Sequence, residues 1–107
     1  MKKISKNLLS AIRASLEAGE KILEVYHSNN FEVEFKNDSS PLTKADLLSN
    51  AAILKVLNAD NSIPILSEEE KKIDYNTRKK WKKLWIIDPL DGTKEFVKRN
   101  DEFTVNI

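Results

Sequence analysis

Residues 84–93 constrain this chain more than any other stretch: the apolar run Leu84-Trp85-Ile86-Ile87 stops at Asp88-Pro89-Leu90-Asp91-Gly92-Thr93. Four consecutive apolar, mostly β-favouring residues predict a buried strand, and an unpaired carboxylate cannot follow them inward, so the chain must reach a polar surface at Asp88. Pro89 forces an extended bend and Gly92 permits a tight backbone. Two carboxylates three residues apart can therefore converge on one point beyond the strand end. Hard divalent cations want oxygen ligands of this kind, and Mg²⁺ in particular is held by a few carboxylates together with water and phosphate oxygens. Gly92 and Thr93 would then open a short helix whose free N–H groups and positive end attract a phosphate.

A second run of the same type, Ile63-Pro64-Ile65-Leu66, ends at Ser67-Glu68-Glu69-Glu70, so two buried strands are expected to carry carboxylates at their C-terminal ends. Upstream, from Ser5 to about His27, apolar residues recur at Leu8, Ile12, Leu16, Gly19 or Glu20, Ile22, Leu23 and Tyr26, which predicts a one-sided helix. Glu20, Lys21 and Glu24 form its solvated face and Asn29-Asn30 its end. Phe31-Glu32-Val33-Glu34-Phe35-Lys36 alternates strictly, predicting a strand with Phe31, Val33 and Phe35 on one buried face. Asn37-Asp38-Ser39-Ser40-Pro41 is a turn by composition. Thr43 is expected to cap a second helix carrying Leu47, Leu48, Ala51, Ile53, Leu54 and Leu57 as far as about Asn58, with Asp46 in its first turn. Lys71 to Lys83 is polar and basic, and Phe103-Thr104-Val105-Asn106-Ile107 alternates again as a strand. Two long helices plus short strands make an α+β chain. The last strand needs neighbours to satisfy its backbone, so a partner region outside these residues is expected, and apolar surface around Phe103, Val105 and Ile107 is expected to be exposed without it.

Composition narrows the chemistry. Eighteen Lys plus Arg against seventeen Asp plus Glu leave a net charge of +1, so no global field draws the protein to nucleic acid or lipid. The absence of cysteine excludes a disulfide framework, a thiolate metal site and a cysteine nucleophile, and suits the cytoplasm. Met1-Lys2-Lys3 could begin an export signal, but Leu8-Leu9-Ser10-Ala11-Ile12 is cut short by Arg13 and Glu17.

Each acidic position also has an ordinary reading. Asp88 and Asp91 suit a turn or cap, Asp46 suits a helix first turn, and Thr93 suits a cap. Glu68 suits an acidic helix start, and Glu69 or Glu70 could serve as a ligand in its place. Arg78-Lys79-Lys80-Trp81-Lys82-Lys83 has the pattern of a nucleic-acid or anionic-lipid patch, though a solvated stretch before a buried strand explains it as well. His27, the single histidine, reads as a helix-end residue.

The hexapeptide at 88–93 resembles the Asp-Pro-x-Asp-Gly-Thr signature of the inositol monophosphatase superfamily. Ser39-Ser40-Pro41-Leu42-Thr43-Lys44-Ala45-Asp46 is similar to its Ser-Pro-Val-Thr-x-Ala-Asp segment, and Leu66-Ser67-Glu68-Glu69 to its Gly/Ser-Glu-Glu segment twenty residues before the signature. The continuation Lys94-Glu95-Phe96-Val97-Lys98-Arg99-Asn100, with Glu102-Phe103-Thr104-Val105-Asn106-Ile107, resembles the CysQ-type 3′(2′),5′-bisphosphate nucleotidases rather than the inositol phosphatases. The resemblance implies the layered helix and sheet phosphatase fold of that superfamily, with residues 1–107 as its N-terminal, metal-binding portion: two long helices plus an antiparallel-rich sheet.

It further implies a Mg²⁺ site. Glu68, Asp88 and the carbonyl of Leu90 would hold a first ion, and Asp88 would bridge to a second held also by Asp91. The family's further aspartate for the second ion comes from a C-terminal half with no counterpart here. Thr93, polarised by Asp46, would orient and deprotonate the attacking water, and Glu68, Leu90, Asp91, Gly92 and Thr93 would line the substrate site. The implied reaction is hydrolysis of the 3′-phosphate of adenosine 3′,5′-bisphosphate to AMP by direct in-line attack, within sulfur metabolism. An inositol or sugar monophosphatase, or a non-catalytic metal- or partner-binding fragment, stands as the alternative, and these 107 residues alone are expected to be inactive. The expected partner is a small phosphorylated nucleotide, not nucleic acid. The expected location is cytoplasmic, compatible with peripheral association with the inner membrane.

Overall fold

Ser5 starts the first helix by accepting a hydrogen bond from the Leu8 amide at 3.1 Å, which satisfies one of the amides a helix start leaves free. In the computed structural model, which describes residues 5–59 and 63–107, this helix (α1) runs Lys6–Tyr26. Met1-Lys2-Lys3, weighed above as a leader, lies outside the described residues. After α1 come β1 (Glu34–Phe35), β2 (Pro41–Leu42), α2 (Lys44–Leu57), β3 (Ile65–Ser67), α3 (Tyr75–Arg78), β4 (Trp85–Asp91), α4 (Thr93–Val97) and β5 (Thr104–Asn106). β1 and β2 form an antiparallel hairpin, while β4 sits between β3, parallel to it, and β5, antiparallel to it. The expected α+β class and both long helices are present.

α1 and α2 lie against each other in opposite directions. Ala14 and Ala18 of α1 pack with Ile53 and Leu57 of α2 and Ile87 of β4, while Ile22, Val25 and Tyr26 pack with Ala45, Leu90 and Phe96. Small residues at the crossing let the two backbones approach closely. The expected α1 stripe holds only in part: Ile22 and Tyr26 are buried as expected, but Leu8, Ile12, Leu16 and Leu23 are exposed, and the rest of the buried line is Ala14, Ala18 and Val25.

The expected strand at 31–36 is also corrected. Glu32 takes a positive φ of 49°, which breaks the alternation, so Phe31, Val33 and Phe35 do not share a face. Only Glu34–Phe35 pairs, and Phe35 is 73% exposed. Phe31 instead joins an aromatic cluster with Tyr26, Phe96 and Phe103, its ring 4.7 Å from that of Phe96. Phe103, Val105 and Ile107, expected at an exposed face, are half-buried against the two core clusters. Among the described residues the large apolar side chains left exposed are Leu8, Leu9, Ile12, Leu16 and Leu23 of α1, together with Val33, Phe35, Leu47, Tyr75 and, from the run expected to be a buried strand, Leu84 and Ile86.

Candidate active site

α2 begins with a reciprocal cap. Thr43 Oγ1 accepts from the amides of Ala45 and Asp46, and the Asp46 carboxylate accepts from the Thr43 amide at 2.8 Å. Such a cap satisfies orphan donors and would alone justify an aspartate here. Asp46 does more. Its Oδ2 also accepts from Thr43 Oγ1 at 2.6 Å, and its free Oδ1 accepts from Thr93 Oγ1 at 2.9 Å, although Asp46 is only 2% exposed. The two residues are 47 positions apart in sequence, so the contact is made by the fold. The Leu90 carbonyl stands 3.2 Å from the same Thr93 hydroxyl as the less close acceptor.

Gly92 is what allows Thr93 to stand there. Its φ is +91°, and a Cβ at this position would lie 2.7 Å from the Glu102 carbonyl oxygen. Only glycine combines that backbone with that approach. Thr93 then opens α4, whose Phe96 is buried among Tyr26, Phe31 and Phe103, anchoring the loop from below.

The carboxylates arrive from the sheet. β3 and β4 pair in parallel up to Ser67 and Ile87, and one more bond, Glu68 N–H to the Ile87 carbonyl at 3.2 Å, delivers Glu68 beside Asp88. A carboxyl–carboxyl hydrogen bond to Asp88, burial and the charge of Asp88 push the Glu68 pKa up to about 7, against the opposing pull of Lys36. A cation between the two carboxyl groups would relieve that repulsion. Oδ1 of Asp88 is fully buried with no hydrogen-bond partner among the described residues. A buried acceptor without a donor costs free energy, and a hard cation satisfies it.

Glu68, Asp88, Leu90, Asp91, Gly92 and Thr93 line one cavity of about 310 Å³. Asp91 also lines it, and its carboxylate accepts from Asn106 Nδ2 at 3.3 Å, so the three expected ligands border one space without forming a compact cluster of three. Two apposed carboxylates, one of them with an unpartnered oxygen, and a third carboxylate lining the same cavity are donors of the kind a hard divalent cation such as Mg²⁺ takes. Glu69 and Glu70 are engaged elsewhere: Glu69 makes a part-buried ion pair with Lys36, and Glu70 accepts from Asn50 at 2.9 Å. Among the three consecutive glutamates, Glu68 is the one in the cavity.

Three participants were missed from sequence. Lys36, at the hairpin, lines the cavity and bonds Glu69; burial alone would lower its pKa, but the Glu69 carboxylate, with Glu68 and Asp46 beyond, raises it above the ordinary lysine value. Nothing in the alternating 31–36 segment marked it. Ser49 and Asn50 are buried on α2 one turn after Asp46, and their signal was available: positions 46, 49, 50 and 53 form one helical face, polar at three of four places. Arg78 to Lys83 lies away from the cavity, with Arg78 bonded to the Ile73 carbonyl, and His27 is exposed at the end of α1.

Residues 5–107 match the profile described as the inositol monophosphatase family. The chain is 47% identical over 92 residues to the 3′(2′),5′-bisphosphate nucleotidase CysQ of Salmonella typhimurium, covering 84% of this chain and 37% of that protein. Among solved structures it is similar to CysQ from Bacteroides thetaiotaomicron, with a TM-score of 0.76 and 53% identity over 94% of this chain and 36% of that one. The extragenic suppressor protein suhB from Bartonella henselae shares the fold, with a TM-score of 0.80 at 24% identity over 94% of this chain and 39% of that one. The chain thus spans about 37% of the length of the curated relatives it matches.

Proposed function

The chain belongs to the inositol monophosphatase family, and from that premise and the geometry of the site we propose that the whole protein is a Mg²⁺-dependent phosphomonoesterase that hydrolyses the 3′-phosphate of adenosine 3′,5′-bisphosphate to AMP. Residues 1–107 would form the N-terminal, metal-binding portion of its phosphatase domain, with Glu68, Asp88 and the Leu90 carbonyl holding one ion and Asp88 and Asp91 a second. The observation that carries the reading is the Thr93–Asp46 hydrogen bond of 2.9 Å beside the cavity into which Glu68 and Asp88 converge. The identity to the CysQ relatives supports the nucleotide substrate.

When bound, Mg²⁺ supplies neutralising charge to the phosphate and to the departing oxygen. The protein's own part is positioning and proton transfer. Asp46 is held by two donors from Thr43 on Oδ2, which leaves Oδ1 to accept the Thr93 hydroxyl proton. A lone pair on Thr93 Oγ1 then faces the attacking water and accepts its proton as the water closes in line on phosphorus, opposite the 3′-oxygen. A hydroxyl alone is a weak base, so the buried carboxylate behind it is needed. No phosphoenzyme is required. Among the described residues no helix is long and apolar enough to cross a membrane. We place the protein in the cytoplasm, where Arg78–Lys83 would also permit peripheral contact with an anionic membrane face.

The test is kinetic. In the intact protein, Thr93→Ala is expected to lower kcat by roughly 10²- to 10⁴-fold with KM little changed, because the lost interaction belongs to the transition state. Asp46→Asn should fall in the same range, with the double variant little worse than either, since both residues serve one proton transfer. Near-normal kcat in Thr93→Ala would remove the mechanism.

A further inference from the structure

The buried face of α2 is polar where a helix packed only for stability would be apolar. Asp46, Ser49, Asn50 and Ile53 are 2, 0, 5 and 0% exposed, and serine and asparagine in a helix interior give up helix propensity and must be hydrogen-bonded to be tolerated there. Their partners are all in the two segments that carry the carboxylates. Ser49 Oγ donates to the Pro89 carbonyl at 2.7 Å, in the stretch where β4 slips register against β5 and sheet pairing no longer fixes the backbone. Asn50 Oδ1 accepts from Ser67 Oγ at 2.6 Å and its Nδ2 donates to Glu70 at 2.9 Å. Asn50 therefore grips both sides of Glu68, and Ser49 grips the peptide between Asp88 and Leu90. The β3–β4 ladder ends at Ser67 and Ile87, with one further bond from the Glu68 amide to the Ile87 carbonyl and Asp88 paired to Asn106 of β5, and this helix face adds side-chain holds on both flanks of that last pairing.

We propose that Ser49 and Asn50 are positioning residues that hold the β3 and β4 carboxylates at the spacing Mg²⁺ requires. This rests on the metal site proposed above. A residue that orients a ligand through its neighbours typically changes metal affinity 10- to 100-fold when removed. A residue that only fills the core changes stability and leaves affinity alone.

The experiment compares Ser49→Ala, Asn50→Ala and Ile53→Val with wild type in the intact protein. Mg²⁺ affinity is measured by titration calorimetry well below each variant's melting temperature, alongside a thermal melt without metal. Ile53→Val, on the same buried face but apolar, should lower Tm by about 1–6 °C with Mg²⁺ affinity unchanged. Ser49→Ala and Asn50→Ala should each weaken Mg²⁺ binding by roughly 10-fold or more. Affinities within twofold of wild type in both, or an equal weakening in Ile53→Val, overturn the positioning role while leaving the site standing. Wild-type protein that binds no Mg²⁺ overturns the site and this inference with it.

Discussion

Asp88→Asn should have two effects of opposite sign. Without metal, Asp88 has a buried, unpartnered oxygen and sits against Glu68, whose pKa it helps push up to about 7. At pH 8 the Glu68 carboxylate is charged and is repelled by the Asp88 carboxyl group beside it. Replacing one by an amide removes that repulsion and supplies a donor to Glu68. The Glu68 side chain is 54% exposed, so solvent screens most of the nominal cost, and the expected gain is on the order of 1 kcal/mol. In the intact protein that raises Tm by about 2–4 °C. With Mg²⁺ at a hundredfold its Kd, wild type should gain about 2.7 kcal/mol, or roughly 5–10 °C, and the variant should gain almost none because its central ligand is gone. Thermal melts at pH 8 with and without Mg²⁺ read both effects. A variant less stable than wild type without metal, yet still raised by Mg²⁺, would refute the reasoning.

Glu68→Gln isolates the pH dependence. The folded-state pKa of Glu68 lies above its usual 4.5, so its contribution to stability is full below about pH 4.5 and is lost as pH rises through about 7. In metal-free melts wild type should therefore fall relative to Glu68→Gln between pH 5 and 8, and parallel curves would contradict the shift. Gly92→Ala should cost several kcal/mol, since the new Cβ meets the Glu102 carbonyl at 2.7 Å and φ is +91°; urea unfolding within about 0.5 kcal/mol of wild type would contradict this. Phe96→Ala should cost about 3–5 kcal/mol, because Phe96 is fully buried among Tyr26, Phe31 and Phe103 and supports the loop that carries Thr93; the same unfolding assay checks it.

The parts legible in the sequence were those with one local cause. Thr43 caps α2 and Asp46 completes the cap because Ser/Thr followed three residues later by an acid satisfies amides wherever it occurs. The two apolar runs became β3 and β4 and their parallel register placed Glu68 and Asp88 side by side, but not as the buried strands expected: Leu84 and Ile86 are exposed, and β4 continues past Asp88 to Asp91. What sequence could not give depends on packing choices. α1 offers a large apolar stripe at Leu8, Ile12 and Leu16 and a small one at Ala14 and Ala18, and only the closeness of α2 selects the second. The 31–36 alternation implied a strand until the positive φ at Glu32 divided it. Ser49 and Asn50 look unremarkable in a polar-tolerant helix until Pro89 and Ser67, 40 and 17 positions away, are seen to be their partners.

The central proposal is a Mg²⁺-dependent attack on a nucleotide phosphate, and phosphate release by the intact protein tests it most directly. Adenosine 3′,5′-bisphosphate and inositol monophosphate are compared as substrates, each with Mg²⁺ and with chelator. The expected result is Mg²⁺-dependent conversion of the bisphosphate to AMP, with kcat/KM above that for inositol monophosphate. Release that persists in chelator, or is absent from the bisphosphate while inositol monophosphate is hydrolysed, would contradict the account.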